Sequence, residues 1–247
     1  MNNTEKTENT FNQVNENILP LSSRPKKKEK SNISYTDEIH RKLIHLFSLN
    51  ISLGYIHLDK PTTFWIMFVI TIITVSIDVL SKKSAWFRVI FFKIFGSILR
   101  RHEIKKSVFR LNGASWLAIS ATMTILIFPK LFAVVALSIL IISDISSALI
   151  GRKFGRTPFF KKKTLEGSAA FFLSASLVVF IYQYIFNLSN YFLYFGIASA
   201  FVTTFSEAIS KEVKLDDNLL VPITFCVMMS IFELILNQFS ITMLINF

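Results

Sequence analysis

The sequence predicts an all-α polytopic integral membrane protein of about seven transmembrane helices plus one interfacial amphipathic helix. Three observations carry this. The 247 residues are 52% hydrophobic and 14% aromatic, with 26 Phe against only 7 Gly, too apolar for an ordinary soluble domain. Seven apolar runs, most near the roughly 20 residues a transmembrane helix requires, divide the chain. The Lys and Arg residues gather between alternate runs, as they do in the cytoplasmic loops of membrane proteins. The net charge of +11 is therefore assigned to membrane topology and not to nucleic acid.

Residues 1–37 are polar, Asn-rich and Glu-rich, with Phe11 and Tyr35 as their aromatics; a disordered basic cytoplasmic tail is expected, without a cleavable signal peptide. Its cluster Arg24 to Lys28 fits an inside-facing tail. Residues 38–247 form the expected transmembrane domain. The apolar runs are 43–58, 62–80, 111–128, 131–150, 167–187, 191–207 and 218–238. The first is short and holds His45 and Asn50. Residues 86–99 are too short to span and carry Arg88 and Lys93, so they are expected to lie in the interface. Cys226 excludes an internal disulfide and any cysteine-based metal cluster.

With seven spans and the N-terminus inside, the tail through Lys42 holds 8 basic residues, 81–110 holds 9, 151–166 holds 6 and 208–217 holds 2. That places 25 of 27 on the cytoplasmic side and leaves Lys60 and Lys130 outside. A span at 86–99 would invert everything after it. The expected C-terminus is outside, in a bacterial inner membrane or the endoplasmic reticulum. Asn187-Leu188-Ser189 is a glycosylation sequon on the outer side, hugging a helix end.

Chemistry concentrates between Asp144 and Ser168. A carboxylate sits inside an apolar run, followed by Gly151 and Gly155 among Arg152, Lys153 and Arg156, then by Lys161, Lys162 and Lys163. An ionisable residue in a membrane segment is functional by default, and glycines let backbone N–H groups approach an anion that neighbouring cations neutralise. The stretch reads as a phosphate-handling loop. The third, fifth and seventh helices all begin on this face with polar residues: Asn112-Gly113, Thr164 to Ser168 including Glu166 and Gly167, and Asp216-Asp217-Asn218. Their N-terminal N–H groups point toward it. The even-numbered helices bring Asp78, Asp144 and Glu207 to the same side. An oxygen-rich, cysteine-free carboxylate set favours Mg²⁺ or another divalent cation, with Asp144 and Asp217 as candidate ligands. Against this stand plainer roles: Asp144 as a structural ion pair, Asp216-Asp217 as a helix cap and first-turn charge, Asp78 as a partner of Lys82, and the basic residues of EIHRKLIH as a consequence of topology.

The order EIHRKLIH at 38–45, HEIKKSVFRLNGASW at 102–116, DISSALIGRKFGR and KKKTLEGSAAF between Asp144 and Phe171, and Glu207 followed by DDNLLVPI resembles the CTP-dependent lipid kinases, the diacylglycerol, dolichol and phytol kinases. The resemblance covers residues 38–225. It implies an integral membrane enzyme that moves the γ-phosphate of CTP, with a divalent metal, onto a lipid hydroxyl. The matching positions are Arg41, Lys42 and His45; Glu103, Asn112 and Gly113; Asp144, Gly151, Arg152 and Gly155; Lys163, Glu166, Gly167 and Ser168; and Glu207, Asp216, Asp217 and Asn218. The chain departs where relatives carry a glycine beside the acid, here Ser143 and Ile145, and a lysine-serine pair, here Lys163-Thr164. Phosphatidate cytidylyltransferases are similar too, but end in a signature of histidine, two glycines and acids, and nothing after Glu207 here contains histidine or glycine.

Both readings lead to one expected site. Asp144, Glu207, Asp216, Asp217 and Lys163 are the catalytic candidates. Asn112, Gly113, Gly151, Arg152, Lys153, Gly155, Arg156, Thr164, Gly167, Ser168 and Asn218 are expected to bind the nucleoside triphosphate, with Arg152, Lys153, Arg156 and Lys163 clamping its oxygens. A lipid alcohol reaches it laterally, with Asp216 or Glu207 to orient or deprotonate its hydroxyl. A transporter using Asp144 and Glu233 would show an internal repeat and midplane charges; no repeat is visible. An adaptor binding anionic lipids through its tail would not need the carboxylates.

Overall fold

The computed structural model describes residues 39, 42–43, 45–83, 111–160, 163–241 and 243. The expected tail, the interfacial helix at 86–99, and Arg41, Glu103, Lys161 and Lys162 lie outside the described residues. The elements are α1 (Leu49–His57), α2 (Lys60–Lys83), α3 (Gly113–Ile127), α4 (Lys130–Phe154), β1 (Pro158–Phe160), β2 (Lys163–Thr164), α5 (Leu165–Ile185), α6 (Asn190–Val213) and α7 (Asp217–Gln238). Lys42, Leu43 and His45 to Phe47 are helical ahead of α1. Each predicted apolar run holds one helix. Five of them, α2 and α4 to α7, are long and apolar enough to cross a membrane, whereas α3 is a shorter apolar helix and α1 has nine residues. The chain is an all-α membrane protein with, among the described residues, one small antiparallel hairpin.

Helix α4 is the axis of the bundle. Every residue from Leu131 to Ile141 is buried, because α4 packs against α1, α5 and α7. Helix α6 packs on α5 and α7, and α3 bridges α2 and α7. Lipid tails are as apolar as leucine, so helices in a bilayer associate through close packing and interhelical hydrogen bonds. Both are present. A Cβ on Gly196 of α6 would come within 2.5 Å of Val179 Cγ1 on α5. Ser52 of α1 donates to the Val134 carbonyl at 2.7 Å and lies 2.6 Å from Ser138 Oγ, which lies 2.8 Å from the Tyr182 hydroxyl. This buried polar chain joins α1, α4 and α5.

At one end of the bundle, Lys60 donates to the Phe128 carbonyl at 2.9 Å and Lys130 to the Ile56 carbonyl at 3.0 Å. The two lysines expected apart from all other cations thus satisfy the last carbonyls of α3 and α1, where a helix dipole favours positive charge. At the opposite end, the stretch read as a loop from Gly151 is different. Helix α4 continues to Phe154 and is followed by the hairpin, with Pro158 opposite Thr164 and Phe160 opposite Lys163. Gly151 remains helical because the first turn of α5 packs against it: a Cβ there would meet Gly167 Cα at 3.3 Å and Thr164 Oγ1 at 3.2 Å.

Candidate active site

Four elements converge at the hairpin end. Asp144, ten residues before the end of α4, is ion-paired with Lys42 and lies 3.6 Å from His45 Nε2. Lys42 and His45 are three apart in a helical stretch, so both reach one partner. Glu207 of α6, 0% exposed, is ion-paired with Lys163 of β2, whose ammonium is also 3.8 Å from Asp217 at the start of α7. Carboxylate oxygens of Asp144, Glu207 and Asp217 all lie within 4.8 Å of one another. Burial works against the Lys163 charge, but the carboxylates of Glu207, Asp217 and Asp144 outweigh it and hold the lysine pKa above its ordinary value. Three carboxylates against two lysines leave one negative charge, a balance suited to a divalent cation and a polyanionic ligand. One oxygen of this set, Glu207 Oε2, is buried with no hydrogen-bond partner.

The helix starts gather at this end, and each is already capped from within the chain. Asn112 accepts from the Ser115 N–H at 2.9 Å, Thr164 Oγ1 from the Gly167 N–H at 3.2 Å, and Asp216 Oδ1 from the Asn218 N–H at 3.1 Å. The start of α3 also holds a carboxylate. Asp78 of α2, 2% exposed, accepts from the Asn112 backbone N–H at 2.9 Å and pairs with Lys82 at 2.8 Å. It therefore sits where an external anion would be welcomed. Gly113, next in sequence, lies beside Asn218, whose Nδ2 donates to Asp216 Oδ1 at 2.7 Å. The N-terminal turns of α3 and α7 thus abut.

The glycines of the motif are accounted for by packing. A Cβ on Gly155 would lie 2.1 Å from the Gly151 carbonyl and 2.7 Å from Thr164 Cγ2, and one on Gly167 would lie 3.1 Å from the Ser147 carbonyl. These contacts let the end of α4, the hairpin and the start of α5 nest around Thr164. Glu166 closes the hairpin by accepting from the Thr157 N–H at 3.0 Å. Arg152, Lys153 and Arg156 are exposed around it, and Lys153 Nζ lies 5.2 Å from the Phe154 ring centroid. Ser168 is buried, its hydroxyl without a hydrogen-bond partner.

Of the residues singled out from sequence, Asp144, Glu207, Asp217 and Lys163 are brought into one cluster. Asp216 serves as the cap of α7, and Asn112, Gly113 and Asn218 border the cluster at the α3–α7 junction. Lys42 and His45 belong to it as well; the basic residues of EIHRKLIH follow from topology alone, and it was the resemblance that marked these two positions. Ser143, beside Asp144 and one of the departures from the resemblance, buries a hydroxyl with no hydrogen-bond partner.

No family model and no solved structure matches the chain. The uncharacterized protein RP860 of Rickettsia prowazekii is 31% identical over 201 residues, covering 81% of this chain and 96% of that protein. The chain belongs to the family of that protein. Within a wider circle, the uncharacterized protein MJ1137 of Methanocaldococcus jannaschii is 29% identical over 138 residues, 55% of this chain and 64% of that one. The CTP-dependent diacylglycerol kinase 1 of Saccharomyces cerevisiae is 27% identical over 154 residues, 59% of this chain and 50% of the kinase. The chain thus spans about half the length of that kinase.

Proposed function

We propose that this protein is a membrane lipid kinase that transfers the γ-phosphate of CTP to the hydroxyl of a lipid alcohol such as diacylglycerol or a polyprenol. The observation that carries the reading is the cluster of Asp144, Glu207 and Asp217 with Lys42 and Lys163 at one end of the bundle. The partial similarity to the yeast kinase supports the choice of donor. In the topology that goes with it, seven helical segments alternate direction and the cluster faces the cytoplasm.

Phosphoryl transfer needs charge neutralisation and in-line positioning more than covalent chemistry. Lys42 and Lys163 supply fixed positive charge inside the cluster, and Arg152, Lys153 and Arg156 at its exposed rim take the outer phosphate oxygens. A divalent cation, Mg²⁺ or another, would be held by Asp144 and Asp217, whose carboxylate oxygens lie within 4.8 Å of one another, a donor set that fits such a group. When bound, it would neutralise triphosphate charge. Glu207 is the better candidate for the lipid hydroxyl, because Asp216 Oδ1 already accepts two hydrogen bonds from Asn218 whereas Glu207 Oε2 accepts none. The lipid oxygen bonds to the γ-phosphorus, the bond between that phosphorus and the bridging oxygen breaks with its electron pair leaving on CDP, and the hydroxyl proton passes to Glu207.

Purified protein in vesicles, given CTP labelled at either the γ- or the α-phosphate and a panel of lipid alcohols or phosphatidate, tests this. Label from the γ-position in a phosphorylated alcohol is the expected result. Label from the α-position in lipid establishes nucleotidyl transfer instead.

A further inference from the structure

The hairpin touches both sides of α6. Through Lys163 it reaches the buried Glu207, and through Phe159 it reaches Phe205, ring centroids 6.1 Å apart, on a face that is 41% exposed at Phe205. The ring contacts continue along α6: Phe205 to Phe201 at 5.0 Å, and Phe201, itself 53% exposed, to Phe172 of α5 at 5.7 Å. Phe201 and Phe205 are one turn apart, so the rings form a stripe along the helix. Both α5 and α6 are long and apolar enough to cross a membrane, and an exposed apolar face on a helix that crosses it would meet lipid. Glu207 lies six residues before the end of α6, about 9 Å along the axis, and is fully buried. An alcohol arriving at that depth beside a bilayer-facing helix carries its hydrocarbon in the membrane.

We infer that Phe172, Phe201, Phe205 and Phe159 form the docking surface for the hydrocarbon chain of the lipid alcohol, with the hairpin marking where its hydroxyl passes toward Glu207. The inference rests on the lipid-kinase reading and adds to it the place and chemistry of acceptor binding. The occupant is a lipid chain because the stripe is apolar, faces the bilayer and ends at the strand pair whose Lys163 holds Glu207. Flat aromatic rings in series offer a long chain many dispersion contacts, each small and together substantial. Helix α2 supplies an internal comparison. Trp65 and Phe68 also form an exposed aromatic pair, 5.7 Å apart, but near the start of α2, at the end of the bundle away from the cluster.

The test uses the wild-type chain in phosphatidylcholine vesicles with a long-chain diacylglycerol and a polyprenol, each bearing a diazirine in mid-chain. After photolysis, peptide mapping locates the adducts. Adducts on residues 201–205 are expected to exceed those around Trp65 by about fivefold, the ratio from roughly 1 kcal/mol of preference. Equal densities at the two places overturn the docking surface. Phosphorylation by CTP is followed in the same vesicles. Adducts concentrated on α6 without phosphorylated lipid remove the kinase reading while leaving a lipid-alcohol surface, and phosphorylated lipid with scattered adducts removes the surface alone.

Discussion

Lys163, on the second strand of a two-stranded hairpin, reaches across to neutralise Glu207, a carboxylate buried within a span-length helix. The pair joins a segment that could have been a surface loop to the interior of the bundle. An unpaired charge at the Glu207 position would be costly.

The first prediction concerns this pair. Replacing Lys163 with Met leaves the Glu207 carboxylate buried and uncompensated, and breaking such a pair costs about 3–5 kcal/mol. Thermal unfolding in detergent should show K163M well below wild type and the double variant K163M/E207L close to wild type. A single variant as stable as the double would mean that the pair is not formed.

Asp144 holds the other half of the cluster through Lys42 and His45. Asp144→Asn keeps the size of the side chain and removes its charge. Transfer from CTP should fall by at least about 100-fold, and detergent stability should fall too, because the buried Lys42 loses this carboxylate, so activity is compared at equal folded protein. Activity within a few-fold of wild type would remove Asp144 from the chemistry. In the wild type, chelation of divalent cations should abolish transfer and added Mg²⁺ restore it.

Gly155 is the tightest point of the motif. A Cβ would sit 2.7 Å from Thr164 Cγ2, so Gly155→Ala must displace the hairpin that carries Lys163. Activity should fall by at least about tenfold, whereas Gly54→Ala, where a Cβ meets nothing within 4 Å, should leave it unchanged. Equal behaviour of the two would show that hairpin placement does not matter.

Asp78 is expected to act on stability. Asp78→Ala leaves the Asn112 N–H without its acceptor and should cost about 1–3 kcal/mol, read as a lower unfolding temperature. An unchanged temperature would mean that the α2–α3 contact contributes little.

Much of this architecture was legible in the chain, for identifiable reasons. Among the described residues, α1 to α7 each fall on a run that hydropathy located, because a bilayer segment must satisfy its backbone internally and so is a continuous apolar run. Asp144 and Glu207 stood out because carboxylates in such runs are rare. The hairpin did not. Pro158-Phe159-Phe160 is three residues long, and the lysines that follow dominate its composition, so they read as a charged loop. The glycines of the motif were read for backbone approach to an anion; that they also let helix ends meet around Thr164 is a tertiary fact that no local pattern encodes. The occupancy of the α3 start by Asp78 was hidden for the same reason: 34 residues separate it from Asn112.

The most direct measurement of the central claim compares wild type with Glu207→Gln in identical vesicles, supplied with CTP labelled at its γ-phosphate and a lipid alcohol. The cluster predicts labelled lipid from wild type and at least about 100-fold less from E207Q at equal protein. Equal labelling by the two proteins would contradict it.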